Sequence, residues 1–145
     1  MDFRTYPSAA PFLEAVEADL VADEVSNNLM YGLALQAARS PGRFYTPPYF
    51  ATVTEGGRLR AAAMMTPPNN LIVMAVEGGE IRAAMDRLAN GLCESPWPGI
   101  PGVIGPTAPA IAFSQAWVAR TGVKSSLRIH ERLYELRTGS LPRSQ

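Results

Sequence analysis

Residues 71–92 read Leu-Ile-Val-Met-Ala-Val-Glu-Gly-Gly-Glu-Ile-Arg-Ala-Ala-Met-Asp-Arg-Leu-Ala-Asn-Gly-Leu, and the fold turns on how this stretch divides. Leu71 to Val76 is an unbroken apolar run, the pattern of a strand buried on both faces. Gly78 and Gly79 permit a tight turn. Beyond them Ile81, Met85, Leu88 and Leu92 recur at steps of four, three and four, the apolar stripe of a helix. A buried strand that enters a helix through glycines leaves backbone N–H groups where an anion can sit. Glu77 and Glu80 flank the same turn. Its side chains therefore carry the wrong charge for the anion that its main chain favours.

Upstream, Tyr49 to Thr54 reads as a strand, Glu55-Gly56-Gly57 as a hairpin turn and Arg58 to Thr66 as the returning strand. Thr66-Pro67-Pro68-Asn69-Asn70 turns into the buried strand, so three consecutive strands form an antiparallel meander. Phe3 to Tyr6 is a short first strand ending at Pro7. Ser8 is the expected cap of a helix running to about Val21, with Pro11 in its first turn and Leu13, Val16 and Leu20 on one face. Asp23 is the expected cap of a second helix, whose Val25, Leu29, Leu33 and Gln36 share a side; Ser40-Pro41-Gly42 ends it.

Downstream, Ser95 to Pro106 is rich in Pro and Gly and holds one short strand, Gly102-Val103-Ile104-Gly105. Thr107 can cap a helix with Pro109 in its first turn and Gly122 at its end. Val123 to Arg137 reads as a long strand. At roughly 3.3 Å per residue it would span about 50 Å, beyond the usual length. Leu127 and Ile129 hold one parity, Tyr134 and Leu136 the other, so a bulge or bend is expected near His130 to Leu133.

The chain has 145 residues, 47% of them apolar, and a domain of this size buries roughly 70% of its unfolded surface. One domain over residues 1–139 with a tail at 140–145 is expected. Thirteen basic and thirteen acidic residues cancel, which argues against a nucleic-acid face. Cys93 is the sole cysteine, so neither an internal disulfide nor a multi-cysteine zinc site is available; it reads as a small buried thiol at a helix end. No apolar run approaches the roughly 18 residues of a membrane span, and the start of the chain lacks the apolar core of a signal peptide. A cytoplasmic protein is expected.

The order strand, helix, helix, three-strand meander, helix, short strand, helix, long strand carries a resemblance. So do the phrases Pro-Pro-Tyr-Phe-Ala-Thr-Val (47–53), Ala-Ala-Ala-Met-Met-Thr-Pro-Pro-Asn-Asn-Leu (61–71), Ala-Trp-Val-Ala-Arg-Thr-Gly (116–122) and Glu-Val-Ser-Asn-Asn-Leu (24–29). Over about residues 3–137 the chain resembles the GNAT acyltransferase superfamily. More closely, it is similar to the N-terminal half of bacterial acetyltransferase-like proteins built from two tandem GNAT-type halves. The resemblance implies an α/β (α+β) fold, a mixed, mainly antiparallel sheet flanked by helices on both faces. It also implies acetyl-CoA as the acyl donor. In active members the central strand splays from its neighbour, and the loop after it, Arg/Gln-x-x-Gly-x-Gly/Ala, holds the acetyl-CoA pyrophosphate on backbone N–H groups. Here the matching positions are Met74, Val76, Gly78, Gly79, Glu80 and Ile81, acting through their main chain. The stretch has two glycines but not the spaced pair, and no Arg or Gln precedes them.

Charge works against that site. A carboxylate about 5 Å from a phosphate charge costs roughly 3 kcal/mol at an effective dielectric near 20, before screening. A charge-assisted hydrogen bond returns only about 1.5–3 kcal/mol. Glu80 also has an ordinary explanation, since an acid in the first helical turn favours the macrodipole. The resemblance places a tyrosine, which protonates the departing thiolate, four residues before the glycine that closes the penultimate helix. Here that position is Val118, with Trp117 beside it as a core or interface anchor, and Tyr134 lies outside the motif. No catalytic residue can be named.

Other residues have plainer readings. His130, the only histidine, lies in the charged segment Arg128-Ile129-His130-Glu131-Arg132 and reads as solvated or paired. Glu55 belongs to the hairpin turn and Asn69 and Asn70 to the next one. Met64, Met65, Met74 and Met85 fill core gaps. Tyr45, Tyr49 and Phe50 around Pro47-Pro48 form an aromatic cluster that packs or rims a pocket.

Three functions follow as expectations. The first is a GNAT-related N-acetyltransferase-like protein with a degenerate acetyl-CoA site, a non-catalytic or weakly active half-module. Its uncovered sheet edge and apolar face would be met by homodimerisation or by a second GNAT half. The second is an active acetyl-CoA-dependent N-acetyltransferase of a small amine, with water or substrate replacing the tyrosine. The third is a ligand-binding or regulatory module for a small molecule, without acyl chemistry.

Overall fold

The computed structural model describes residues 1–40, 42, 44, 46–67, 69–95 and 99–122, and the backbone of strands 124–128 and 133–137. The elements run β1 (Asp2–Tyr6), α1 (Ala9–Ala22), α2 (Glu24–Arg39), β2 (Tyr49–Glu55), β3 (Arg58–Met65), β4 (Leu71–Ala75), α3 (Ile81–Glu94), β5 (Gly102–Ile104), α4 (Thr107–Thr121), β6 (Lys124–Arg128) and β7 (Leu133–Arg137). The strands form one sheet ordered β1-β2-β3-β4-β5-β7-β6. Every neighbouring pair is antiparallel except β4–β5. The fold is the mixed, mainly antiparallel α/β arrangement with helices on both faces that the sequence predicts. None of its helices, among the described residues, is long and apolar enough to cross a membrane.

Strand alternation divides the core into two layers. Ala51, Val53, Ala61, Ala63, Leu71 and Val73 meet Met85 and Leu88 of α3 and Phe113 of α4 on one face. Phe50, Ala62, Met64, Ile72 and Met74 meet Phe12 and Val16 of α1 and Met30 and Ala34 of α2 on the other. β4 lies between the two, with Leu71 to Met74 all buried, which is why its sequence is continuously rather than alternately apolar. Met64, Met65, Met74 and Met85 are core residues, as expected. Phe12 packs 4.8 Å from Phe50 between ring centroids, with Tyr6 edge-on to Phe12 at 5.8 Å.

Several sequence expectations need correction. α2 buries Asn27, Met30, Ala34 and Ala37; of the expected side, Leu33 packs partly against the core while Val25, Leu29 and Gln36 are exposed. The layer above the sheet is already filled by Phe12, Phe50 and Met64, so α2 closes on it with small and unbranched residues. Val25 is 89% exposed and Leu29 45%. The long terminal strand is two: β6 and β7 pair with each other, Arg128 opposite Leu133. The change of parity across this stretch marks a reversal of the chain rather than a bulge; residues 129–132 lie outside the described residues. Cys93 is exposed because α3 turns Leu88, Ala89 and Leu92 inward and leaves 93 facing out. Thr107 is the first helical residue of α4, and Pro106 holds the cap position.

Candidate functional site

The parallel pairing of β4 with β5 is brief: Leu71 opposes Val103 and Ile72 opposes Ile104, and β5 ends there. β4 runs on to Ala75 with a partner on the β3 side. Gly105 fixes the point of departure, since a Cβ on it would lie 2.5 Å from the Val73 carbonyl oxygen. Only a residue without a side chain fits there. Beyond it the chain passes Pro106 into α4, so the ladder with β5 stops and leaves a gap in strand pairing beside the second half of β4.

Main-chain polarity along β4 follows from its register. Val76 N–H donates to the Arg60 carbonyl at 2.9 Å, and the Val76 carbonyl accepts from Gly79 N–H at 3.4 Å. By strand alternation Met74 turns its own groups the same way, toward β3. The sequence-derived main-chain contacts at Met74 and Val76 are therefore taken up inside the protein. Ala75 instead points its N–H and C=O toward the gap. Strand parity was the signal for it, but required knowing on which side β3 lies.

The turn beyond β4 places Gly78 at φ +84, a left-handed conformation that glycine adopts without strain. Glu77, Gly78 and Glu80 are exposed; Val76, Gly79 and Ile81 are partly buried. The first α3 helical bond runs from Ala84 N–H to the Glu80 carbonyl, and the Glu80 side chain makes no capping bond. α4 likewise starts at Thr107 without a side-chain cap, its first bond running from Ala110 N–H to the Pro106 carbonyl. Both helices begin at the carboxyl ends of the two parallel strands. That is where an open α/β sheet offers positive helix ends to an anionic ligand.

One cation joins this turn. Val53 opposes Ala61 but Thr54 opposes Leu59, so Arg60 is the extra residue of a β-bulge, a device that re-aims a side chain. Its Nη1 lies 3.2 Å from where a Gly79 Cβ would sit. Its Nε is buried without a hydrogen bond, although the half-exposed Glu55 carboxylate stands 3.5 Å away. A guanidinium thus crosses the turn that carries Glu77 and Glu80. Counting along the hairpin from Gly56-Gly57 points toward this neighbourhood, but the bulge adds a residue that such a count omits. Glu55 itself serves the hairpin, whose Gly56 and Gly57 have φ of 60 and 79.

The remaining candidates are dispersed. Trp117 stacks on Phe113 at 5.7 Å between ring centroids and packs against the α3–α4 core. Val118 accepts the closing bond of α4 from Gly122 N–H, with Gly122 in the left-handed conformation. Ser114, on the same helix, buries its Oγ without a partner. Asn69 closes its turn on Thr66 through backbone and side chain, at 2.8 and 3.2 Å. Tyr49 and Phe50 border, with Pro47, Pro48, Tyr6 and Ser95, a hollow of about 320 Å³ at the opposite end of the sheet. Tyr45 and His130 lie outside the described residues, as do the side chain of Tyr134 and the tail 140–145. No group of three His, Cys, Asp or Glu is placed to hold a metal ion among the described residues. Compared with known proteins, the chain matches no family model, no curated protein and no solved structure.

Proposed function

We propose that this chain is a GNAT-type N-acetyltransferase-like protein whose acetyl-CoA site is degenerate, a non-catalytic or weakly active half-module that pairs with a second copy. The order of its elements and the early parting of β4 from β5 support that reading. The observation that carries it is the β4–α3 turn. α3 and α4 both start without a side-chain cap, after β4 and β5 respectively, and exposed Glu77 and Glu80 lie in the turn that leads into α3. Gly79 without a Cβ and the Arg60 guanidinium suit an anion; the two carboxylates oppose it. Val118 at the position of the thiolate acid supplies no proton.

Exposure lowers the penalty below the value read from the sequence. With both carboxylates in water, each costs about 1 kcal/mol or less at ~4–5 Å, so removing the pair is worth roughly tenfold in affinity. Arg60 favours a second reading, an acetyltransferase that retains acyl-CoA binding. Titration calorimetry with acetyl-CoA separates the two. The degenerate site predicts no heat from the wild type at millimolar ligand, and binding that emerges in Glu77→Gln/Glu80→Gln. Wild-type binding that Arg60→Gln removes would establish the second reading. No binding by either the wild type or the double variant would reject carboxylate repulsion as the obstacle.

A further inference from the structure

The chain covers one side of α2 and leaves two large apolar residues of the other side in water. Its buried side is Asn27, Met30, Ala34 and Ala37. On the opposite side Val25, Leu29, Gly32 and Gln36 follow one another at steps of four, three and four, a continuous helical stripe. The exposed large hydrophobic residues among the described ones are Val25 and Leu29 on this stripe and Val21 at the α1–α2 corner. Gly32 is an independent observation. It lies in the interior of a 16-residue helix, where glycine destabilises relative to alanine. Nothing lies within 4 Å of the position its Cβ would take, so no contact within the chain requires its small size.

We infer that the α2 stripe is the contact surface between two copies of this chain, packed as antiparallel α2 helices with Leu29 of each seated over the partner's Gly32. A missing side chain at position 32 lets a neighbouring helix approach closely, which explains the glycine. In this register the acidic start of α2, Asp23 and Glu24, meets the basic end, the partner's Arg39; all three are exposed. The helix dipoles also oppose favourably. A parallel arrangement would instead bring like charges together. Acids at the end of the stripe disfavour an anionic lipid surface. A two-fold axis makes every contact occur twice, which gives a self-complementary interface. This inference deepens the pairing in the proposed function and rests on that part of it, not on the acyl-CoA site. A dimer that fails to bind acetyl-CoA, or a monomer that binds it, tells the two apart.

Sedimentation velocity of the full chain across the micromolar range tests the inference. The wild type is expected to be dimeric. Leu29→Asp should raise the dissociation constant by roughly 100-fold or more, because the change acts twice across the axis. Gly32→Leu should give a monomer with an unchanged or higher melting temperature, since its side chain has room in the isolated chain. Glu24→Arg and Arg39→Glu should each weaken the dimer, and their combination should restore it. A wild type that stays monomeric, a dimer that survives Gly32→Leu, or a charge swap without rescue would overturn the inference.

Discussion

Replacing Gly105 by alanine tests whether close contact between β5 and β4 sets where the sheet opens. The new Cβ would fall 2.5 Å from the Val73 carbonyl oxygen, and ordinary contact begins at 3.4 Å, so one chain segment must withdraw by about 0.9 Å. The obstacle is backbone oxygen in a strand whose residues Leu71 to Met74 are buried on both faces. No flexible side chain can swing aside. Overpacking of this kind costs about 1–3 kcal/mol, which for a domain of this size lowers Tm by roughly 4–12 °C. Gly32→Ala, measured dilute enough to keep the chain monomeric, is the matched control: within one chain the same added methyl meets open space on a helix and should stabilise by up to ~1 kcal/mol. Urea denaturation followed by circular dichroism reads both. Opposite signs are expected from one chemical change. A Gly105→Ala protein within about 0.5 kcal/mol of wild type would refute the close approach, and with it the pinning of the gap beside β4.

Two further outcomes are expected. Tyr6 Oη and Thr52 Oγ1 share a buried hydrogen bond of 2.9 Å, so Thr52→Val should cost about 1–3 kcal/mol by leaving the phenol unpaired. Adding Tyr6→Phe should recover most of that loss in the same urea experiment; a double variant worse than the single one would exclude the pairing. Partial desolvation raises the thiol of the otherwise exposed Cys93 above its ordinary value despite the lowering by Arg120. A raised value means less thiolate at a given pH, so alkylation near about pH 8 should be slower in the folded protein than in the unfolded chain and rise steeply as pH increases. Equal or faster alkylation of the folded form would contradict this.

How far the sequence reveals this protein depends on how local the deciding physics is. The passage from Leu71–Val76 through Gly78-Gly79 into the stripe Ile81, Met85, Leu88 and Leu92 is legible because each element states its own burial: a strand covered on both faces, then a helix covered on one. Arg60 is not legible, because a one-residue bulge opposite Val53 and Thr54 re-aims it and no local pattern announces the bulge. Main-chain direction at Met74 and Val76 is hidden for a similar reason: parity is visible in one strand, but which parity faces β3 depends on its neighbours. α2 is the instructive case. Val25, Leu29, Leu33 and Gln36 form a sound amphipathic side, and pattern reasoning buries it; the fold centres burial on Met30 and Ala34, with Leu33 packed partly beside them. Leu33 packs partly against the core while Val25 and Leu29 stay exposed, so one chain buries only part of the patterned side. The failed expectation and the unexplained Gly32 thus point to the same surface. Val25 and Leu29 are patterned for burial, and a single chain leaves them in water.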